Sequence, residues 1–80
     1  MSPVDLIVGR HLAVPLPDPD ATLAGLGADE LDVLELVLAL ERIFRVSIPD
    51  EAGVTGETTV ADLGRVVERA MERKKERVEL

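Results

Sequence analysis

The chain contains no cysteine, no tryptophan and no tyrosine, and it has a single phenylalanine. The absence of cysteine excludes disulfide bonds, thiolate metal ligands and thiol nucleophiles. Because aromatic side chains are almost absent, this 80-residue chain must build a small core from leucine, valine, isoleucine and alanine. We therefore expect one small domain over residues 1–80, with the aliphatic composition of a helical protein.

Serine and histidine are also scarce, which limits the chemistry available to the chain. The serines are Ser2 and Ser47, and the single histidine is His11. His11 has neither a second metal ligand nor a nucleophile beside it in the sequence, and no phosphate-binding loop or cofactor motif is present. We therefore expect no catalytic residue and no metal site, and we expect the protein not to be an enzyme.

Basic side chains are concentrated near the end of the chain, and the net charge is −7 at pH 7. Residues 1–62 contain twelve acidic and three basic side chains, whereas residues 63–80 contain four acidic and six basic ones. An acidic body disfavours nucleic acid and favours a protein partner with a basic patch. The chain also has no apolar run of membrane-spanning length and no signal-peptide pattern, so we expect a cytoplasmic protein.

The first half of the chain carries the signals of two helices. Proline at the first helical position, followed by apolar residues at helical spacing, predicts a helix over 3–12. The alternating prolines within 15–19 forbid a regular helix there and predict a loop that runs to Asp29. Asp29 has the position of an N-cap, with Asp32 three residues on, so a second helix is predicted over 30–44.

The second half of the chain predicts a short helix or turn near 50–57 and then a last helix. Thr59 and Asp62 have the spacing of a capping box at the start of that helix, which we expect to fray after about Lys74. Its predicted inner stripe consists of Val60, Leu63, Val66, Val67, Ala70 and Met71. The arginines Arg65, Arg69, Arg73 and Arg77 alternate with Glu68, Glu72 and Glu76, which is typical of a solvated face with weak ion pairs.

The second helix has two unlike faces when its residues are placed at 100° intervals. One broad arc is apolar and predicts the core-facing side: Val33, Leu36, Val37, Ala39, Leu40, Ile43 and Phe44. The opposite arc carries Leu34 and Leu38, framed by charged residues: Glu30, Glu35, Glu41 and Arg42. An apolar ridge inside a charged rim is the anatomy of a protein contact surface.

Several motifs in register, from about residue 23 to residue 67, resemble the acyl carrier protein family. They are Leu26-Gly27-Ala28-Asp29, Leu31-Asp32, Glu35-Leu36-Val37, Ala39-Leu40-Glu41, Phe44, Ile48-Pro49-Asp50-Glu51 and Thr58-Thr59-Val60. The resemblance implies an all-α fold, a small helical bundle with three main helices plus one short helix. In that family the core opens to shelter an acyl chain.

Glu30 is the main departure from the family pattern. The family motif reads Asp-Ser-Leu, and its serine carries a 4'-phosphopantetheine arm, whereas here Glu30 stands in the serine's place. A carboxylate is not the attachment oxygen for that phosphodiester, so we expect no bound cofactor. Glu30 is a residue tolerated by drift because a negative first turn suits a helix, a mimic of the arm's phosphate, or an engineered substitution.

The resemblance also implies which residues meet partners. Glu35 and Glu41 match acids that contact basic patches on transferases, synthases and reductases, and Leu34 and Leu38 match apolar contacts beside the arm. Arg42 replaces a residue that is usually acidic, and the loop between the first two helices is a few residues short.

Our leading hypothesis is a monomeric, non-catalytic protein-binding module in or beside fatty-acid or polyketide-type acyl metabolism. It would bind a carrier-recognising enzyme without presenting a thioester. One alternative is a genuine covalent carrier whose serine was replaced artificially or whose arm is attached elsewhere. A third reading is a structural or lipid-sheltering bundle that needs only its aliphatic core.

Overall fold

The computed structural model describes the backbone of residues 3–77 and the side chains of residues 3–75. In this range α1 covers Pro3–Leu12, α2 covers Glu30–Phe44 and α3 covers Val60–Arg77. Single 3-10 turns lie in the two connecting loops, over Ala24–Leu26 and Asp50–Ala52. The all-α helical bundle is therefore confirmed, and the bounds of α1 and α2 agree with those predicted from the sequence.

The core lies where the apolar stripes of the three helices meet. Val8 of α1, Leu36 and Leu40 of α2, and Leu63 of α3 have no exposed surface. The remaining buried apolar residues are Val4, Leu23, Ala28, Val33, Ile48, Val60, Val67 and Ala70. Burying an aliphatic side chain of this size contributes about 1.5–3 kcal/mol. Among the described residues no polar or charged side chain is buried, so the hydrophobic effect holds the bundle together.

A glycine allows the chain to turn back tightly at the end of α1. The Val14 amide donates to the Gly9 carbonyl at 2.8 Å, and Ala13 between them has a left-handed backbone, with φ of 59°. A Cβ on Gly9 would lie 2.6 Å from the Val14 carbonyl oxygen, which is closer than real Cβ atoms approach. The turn after α1 therefore requires glycine at this position.

Backbone hydrogen bonds join the loop before α2 to the segment before α3. The Leu23 amide donates to the Thr58 carbonyl at 2.9 Å, and the Ala24 amide donates to the Gly56 carbonyl at 2.7 Å. Leu23 itself is completely buried. These contacts hold the start of α2 beside residues 54–58.

The last helix begins with half of the expected capping box. The Asp62 amide donates to Thr59 Oγ1 at 3.1 Å, while the Asp62 carboxylate forms an ion pair with Arg65. The expectation that the helix frays after Lys74 is wrong, because α3 continues to Arg77. Its last two turns contain only good helix formers and neither glycine nor proline. No helix within the described residues is both long enough and apolar enough to cross a bilayer.

Two residues predicted to face the core are largely exposed instead. Ile43 is 57% exposed and Met71 is 43% exposed. Ile43 lies in the last turn of α2, after Leu40, the last buried residue of that helix, and Met71 follows Ala70, the last buried residue among the described side chains of α3. The apolar stripes in the sequence are therefore wider than the surfaces that the bundle covers.

Candidate functional site

The start of α2 is fixed by a left-handed glycine and a complete capping box. Gly27, with φ of 99°, ends the 3-10 turn and directs the chain toward Asp29. Asp29 Oδ1 accepts from the Asp32 amide at 2.8 Å, and the Asp29 amide donates to Asp32 Oδ2 at 3.1 Å. The predicted N-cap is therefore confirmed, and Glu30 is held as the first helical residue.

The first turn of α2 presents carboxylates and no hydroxyl group. Asp29 and Asp32 use carboxylate oxygens in the capping box, whereas Glu30 is exposed and its carboxylate makes no hydrogen bond or ion pair with any described residue. The amide end of a helix favours a negative charge, by about 0.3–1 kcal/mol at an exposed position. Glu30 is therefore the carboxylate of this turn that remains available to a partner.

Beside Glu30, α2 presents three exposed leucines, which we call the leucine ridge: Leu31, Leu34 and Leu38. Their exposed fractions are 59%, 54% and 46%. The exposure of Leu34 and Leu38 agrees with their predicted position opposite the core. Leu31 extends this face beyond the predicted Leu34 and Leu38, because it lies seven positions before Leu38 and within about 20° of it around the helix.

The charged residues beside the ridge are not equivalent. Glu35 and Arg42 are exposed, whereas Glu41 is partly buried. Glu41 Oε2 accepts a hydrogen bond from the Ile48 amide at 2.7 Å. This bond ties the segment after α2 to the helix and gives Glu41 an intramolecular role, in contrast to the purely partner-facing role that the resemblance implies.

A groove of about 770 Å³ runs beside Glu30, between α2 and the segment that leads to α3. The apolar part of its lining includes Val33 and Val37 from α2 and Pro49 and Val54 from the facing segment. Its size lies within the range of small-molecule pockets, which are mostly apolar with a few polar groups. The groove therefore combines an apolar surface with acidic side chains, because Asp29, Glu30, Asp50 and Glu57 also line it.

Other residues with reactive side chains lie away from this region. His11 is exposed at the end of α1, and Ser47 is exposed beyond the far end of α2. Ser2 lies outside the described residues. Within residues 3–75 no group of three His, Cys, Asp or Glu side chains is arranged to hold a metal ion.

A family model described as "Phosphopantetheine attachment site" matches residues 4–67 of the chain. The matched stretch begins in α1 and ends in α3. It includes the capped start of α2, the leucine ridge and the groove beside Glu30.

Proposed function

This chain belongs to the phosphopantetheine attachment site family, and we propose that it binds carrier-recognising enzymes without carrying a thioester. The family match supports an acyl-carrier type of function, and domains of this type are generally non-catalytic. Carrier domains bind 4'-phosphopantetheine and interact with enzymes of acyl metabolism. In this proposal the protein keeps the enzyme-binding surface of a carrier domain and lacks the serine to which the arm is attached.

The observation that carries the proposal is the chemistry of the first turn of α2. The family arm is attached to a serine oxygen, and we propose that Glu30 occupies the position of that serine. The phosphopantetheine arm does not fit the first turn of α2. The side chains of this turn are Glu30, Leu31 and Asp32, which follow the N-cap Asp29. None of them provides a hydroxyl oxygen for a phosphodiester.

The leucine ridge supports the assignment of a partner surface. Leu34 and Leu38 are apolar, exposed and bordered by Glu35 and Arg42, a pattern suited to a contact with a dry centre and a polar rim. We propose that a basic patch on an enzyme of fatty-acid or polyketide-type acyl metabolism meets Glu30 and Glu35. Arg42 would repel part of such a patch, which favours a narrower set of partners.

We assign Glu30 a permissive role in this function. Its single carboxylate lacks the tetrahedral oxygens of a phosphate and is a weak substitute for the arm. The negative charge nevertheless stabilises the start of α2, which keeps the neighbouring ridge in place. We further propose that the protein acts as a monomer, because a net charge of −7 opposes self-association.

The direct test is the mass of the intact protein after incubation with coenzyme A and a phosphopantetheinyl transferase of broad specificity. The unsubstituted chain and the Glu30→Ser variant are compared under identical conditions. We expect only Glu30→Ser to gain the arm, because it restores a hydroxyl at the start of α2 without disturbing the cap formed by Asp29 and Asp32.

The other outcomes decide against the proposal in different ways. Modification of the unsubstituted chain would support the covalent-carrier alternative. Peptide mapping and the Ser47→Ala variant would then show which oxygen carries the arm. If neither protein is modified, the surface is not recognised as a carrier, and a carrier-recognising partner is no longer supported.

A further inference from the structure

A second groove, of about 720 Å³, lies at the opposite end of α2, where the segment after that helix meets α3. Three cationic side chains line it: Arg45, Arg73 and Lys74. None of its lining residues within the described part of the chain is acidic, although the chain as a whole carries a net charge of −7. The groove is thus a basic site on an acidic protein.

The fold brings these cations together from distant parts of the sequence. Arg45 ends α2 in a left-handed conformation, with φ of 57°, which is a conformation that glycine usually supplies. Arg73 and Lys74 lie 28 and 29 positions later, on α3. A cation near the C-terminal end of a helix is favourable by itself. That effect explains why a cation lies near the C-terminal end of α2 and of α3. It does not explain why the cations of both helices line the same groove.

The cations of the groove are not neutralised within the described residues. Arg65 forms an ion pair with Asp62, whereas the side chains of the three groove cations make no ion pair or hydrogen bond with the described residues. Arg65, Arg69 and Arg73 of the predicted arginine face are exposed, and no ion pair joins them to Glu68 or Glu72. Arg77 lies outside the described side chains, and Arg73 lines the groove as well as this face. Uncompensated like charges repel one another, so an anionic ligand would relieve this repulsion.

The floor of the groove is apolar. We give the name floor to the apolar part of the lining, Val46, Pro49 and Ala70, of which Ala70 is almost completely buried; Ser47 completes the lining. A cleft with charges of one sign and apolar walls concentrates the electric field on its contents. A ligand that matches both features must combine negative charge with an apolar group, and an inorganic anion has no group for the floor.

We propose that this basic groove is a docking surface for an acidic protein segment in which an apolar side chain lies between carboxylates. The carboxylates would meet Arg45, Arg73 and Lys74, and the apolar side chain would lie on the floor. Arg45 lies about 22 Å along α2 from Glu30, from the rise of the 15 residues of that helix, although Pro49 lines both this groove and the one beside Glu30. A segment bound there leaves the leucine ridge free, and the proposal does not rest on the function assigned to Glu30.

The test uses the full chain and a short fluorescein-labelled peptide of glutamates interrupted by leucines, with fluorescence anisotropy at low salt as the readout. We expect Arg73→Gln to weaken binding about fivefold, as for one partly exposed charge contact. Arg45→Gly should have a similar effect without loss of the fold, because glycine suits the left-handed backbone. Arg69→Gln is the matched control on α3, since Arg69 does not line the groove, and we expect a change below about twofold.

Four results would overturn the proposal. They are absence of binding at low salt, equal weakening by Arg69→Gln and Arg73→Gln, equal binding of a peptide with glutamine in place of glutamate, and displacement by inorganic phosphate at matched ionic strength. A fifth result would also overturn it, and sedimentation velocity measures it. If the chain forms a dimer that Arg73→Gln dissociates, the groove is an interface between two copies of the chain. The mass measurement on Glu30→Ser is independent of all of these outcomes.

Discussion

Glu41 has a position in the sequence that suggests one role and a contact in the fold that gives it another. On the helical wheel it lies close to Glu30 and next to the leucine ridge. Its carboxylate nevertheless accepts a hydrogen bond from the Ile48 amide, and Ile48 is buried. The bond holds the segment that forms the far wall of the groove beside Glu30.

We predict that Glu41→Ala lowers the free energy of unfolding by about 1–2 kcal/mol, because the Ile48 amide loses its charged acceptor. Glu41→Gln should lower it less, since a side-chain amide oxygen still accepts the bond without the charge. Urea unfolding followed by far-UV circular dichroism measures both differences.

Glu35→Ala is the matched control for this measurement. Glu35 lies on the same helix, is exposed and forms no bond with any described residue, so its loss should change the unfolding free energy by less than about 0.5 kcal/mol. Equal destabilisation by Glu35→Ala and Glu41→Ala would contradict a structural role for the bond to Ile48.

At the scale of a helix, the sequence predicts what is local and misses what depends on packing. The bounds of α2 were predictable because the Asp29 cap directly precedes the helix and the apolar period lies within it. The exposure of Ile43 was not, because it depends on which part of the apolar arc the other helices cover. The bond from Glu41 to Ile48 was also hidden, since it depends on the path of the chain after α2.

Two helical glycines provide a test of local preference against packing. In an isolated helix, replacing glycine by alanine stabilises by about 0.5–1 kcal/mol. A Cβ at Gly64 in α3 would have no atom within 4 Å outside its own helix, so we expect Gly64→Ala to stabilise the protein by about that amount. A Cβ at Gly9 would lie 2.6 Å from the Val14 carbonyl oxygen, so we expect Gly9→Ala to destabilise it by about 1–3 kcal/mol.

Thermal and urea unfolding of the two variants and of the original chain measure the change in unfolding free energy, which we expect to have opposite signs. The comparison controls for helix propensity, because the chemical change is identical in both. Stabilisation by Gly9→Ala would show that the turn after α1 relaxes without cost and that the close approach to Val14 does not constrain this position.

At the scale of the whole molecule, acidic and basic side chains are concentrated in different parts of the sequence and on different surfaces of the fold. The sequence already shows an acidic stretch over residues 1–62 and a basic excess over residues 63–80. It does not show that Arg45 lines the same groove as Arg73 and Lys74 of α3, because these residues are far apart along the chain. The acidic start of α2 and the basic groove therefore form two surfaces with opposite preferences, which suits simultaneous contact with two different protein segments.

The same helix offers a matched test of which side recognises enzymes. Leu34 and Ile43 are 54% and 57% exposed, but they lie on opposite sides of α2. In the Glu30→Ser background, we expect Leu34→Ala to lower the kcat/KM of a phosphopantetheinyl transferase about tenfold, because an apolar contact at the centre of an interface is lost. Ile43→Ala should change kcat/KM by less than about twofold, because that side chain lies outside the proposed contact. Equal effects of the two substitutions would place recognition elsewhere on the bundle and would remove the leucine ridge from the proposed function.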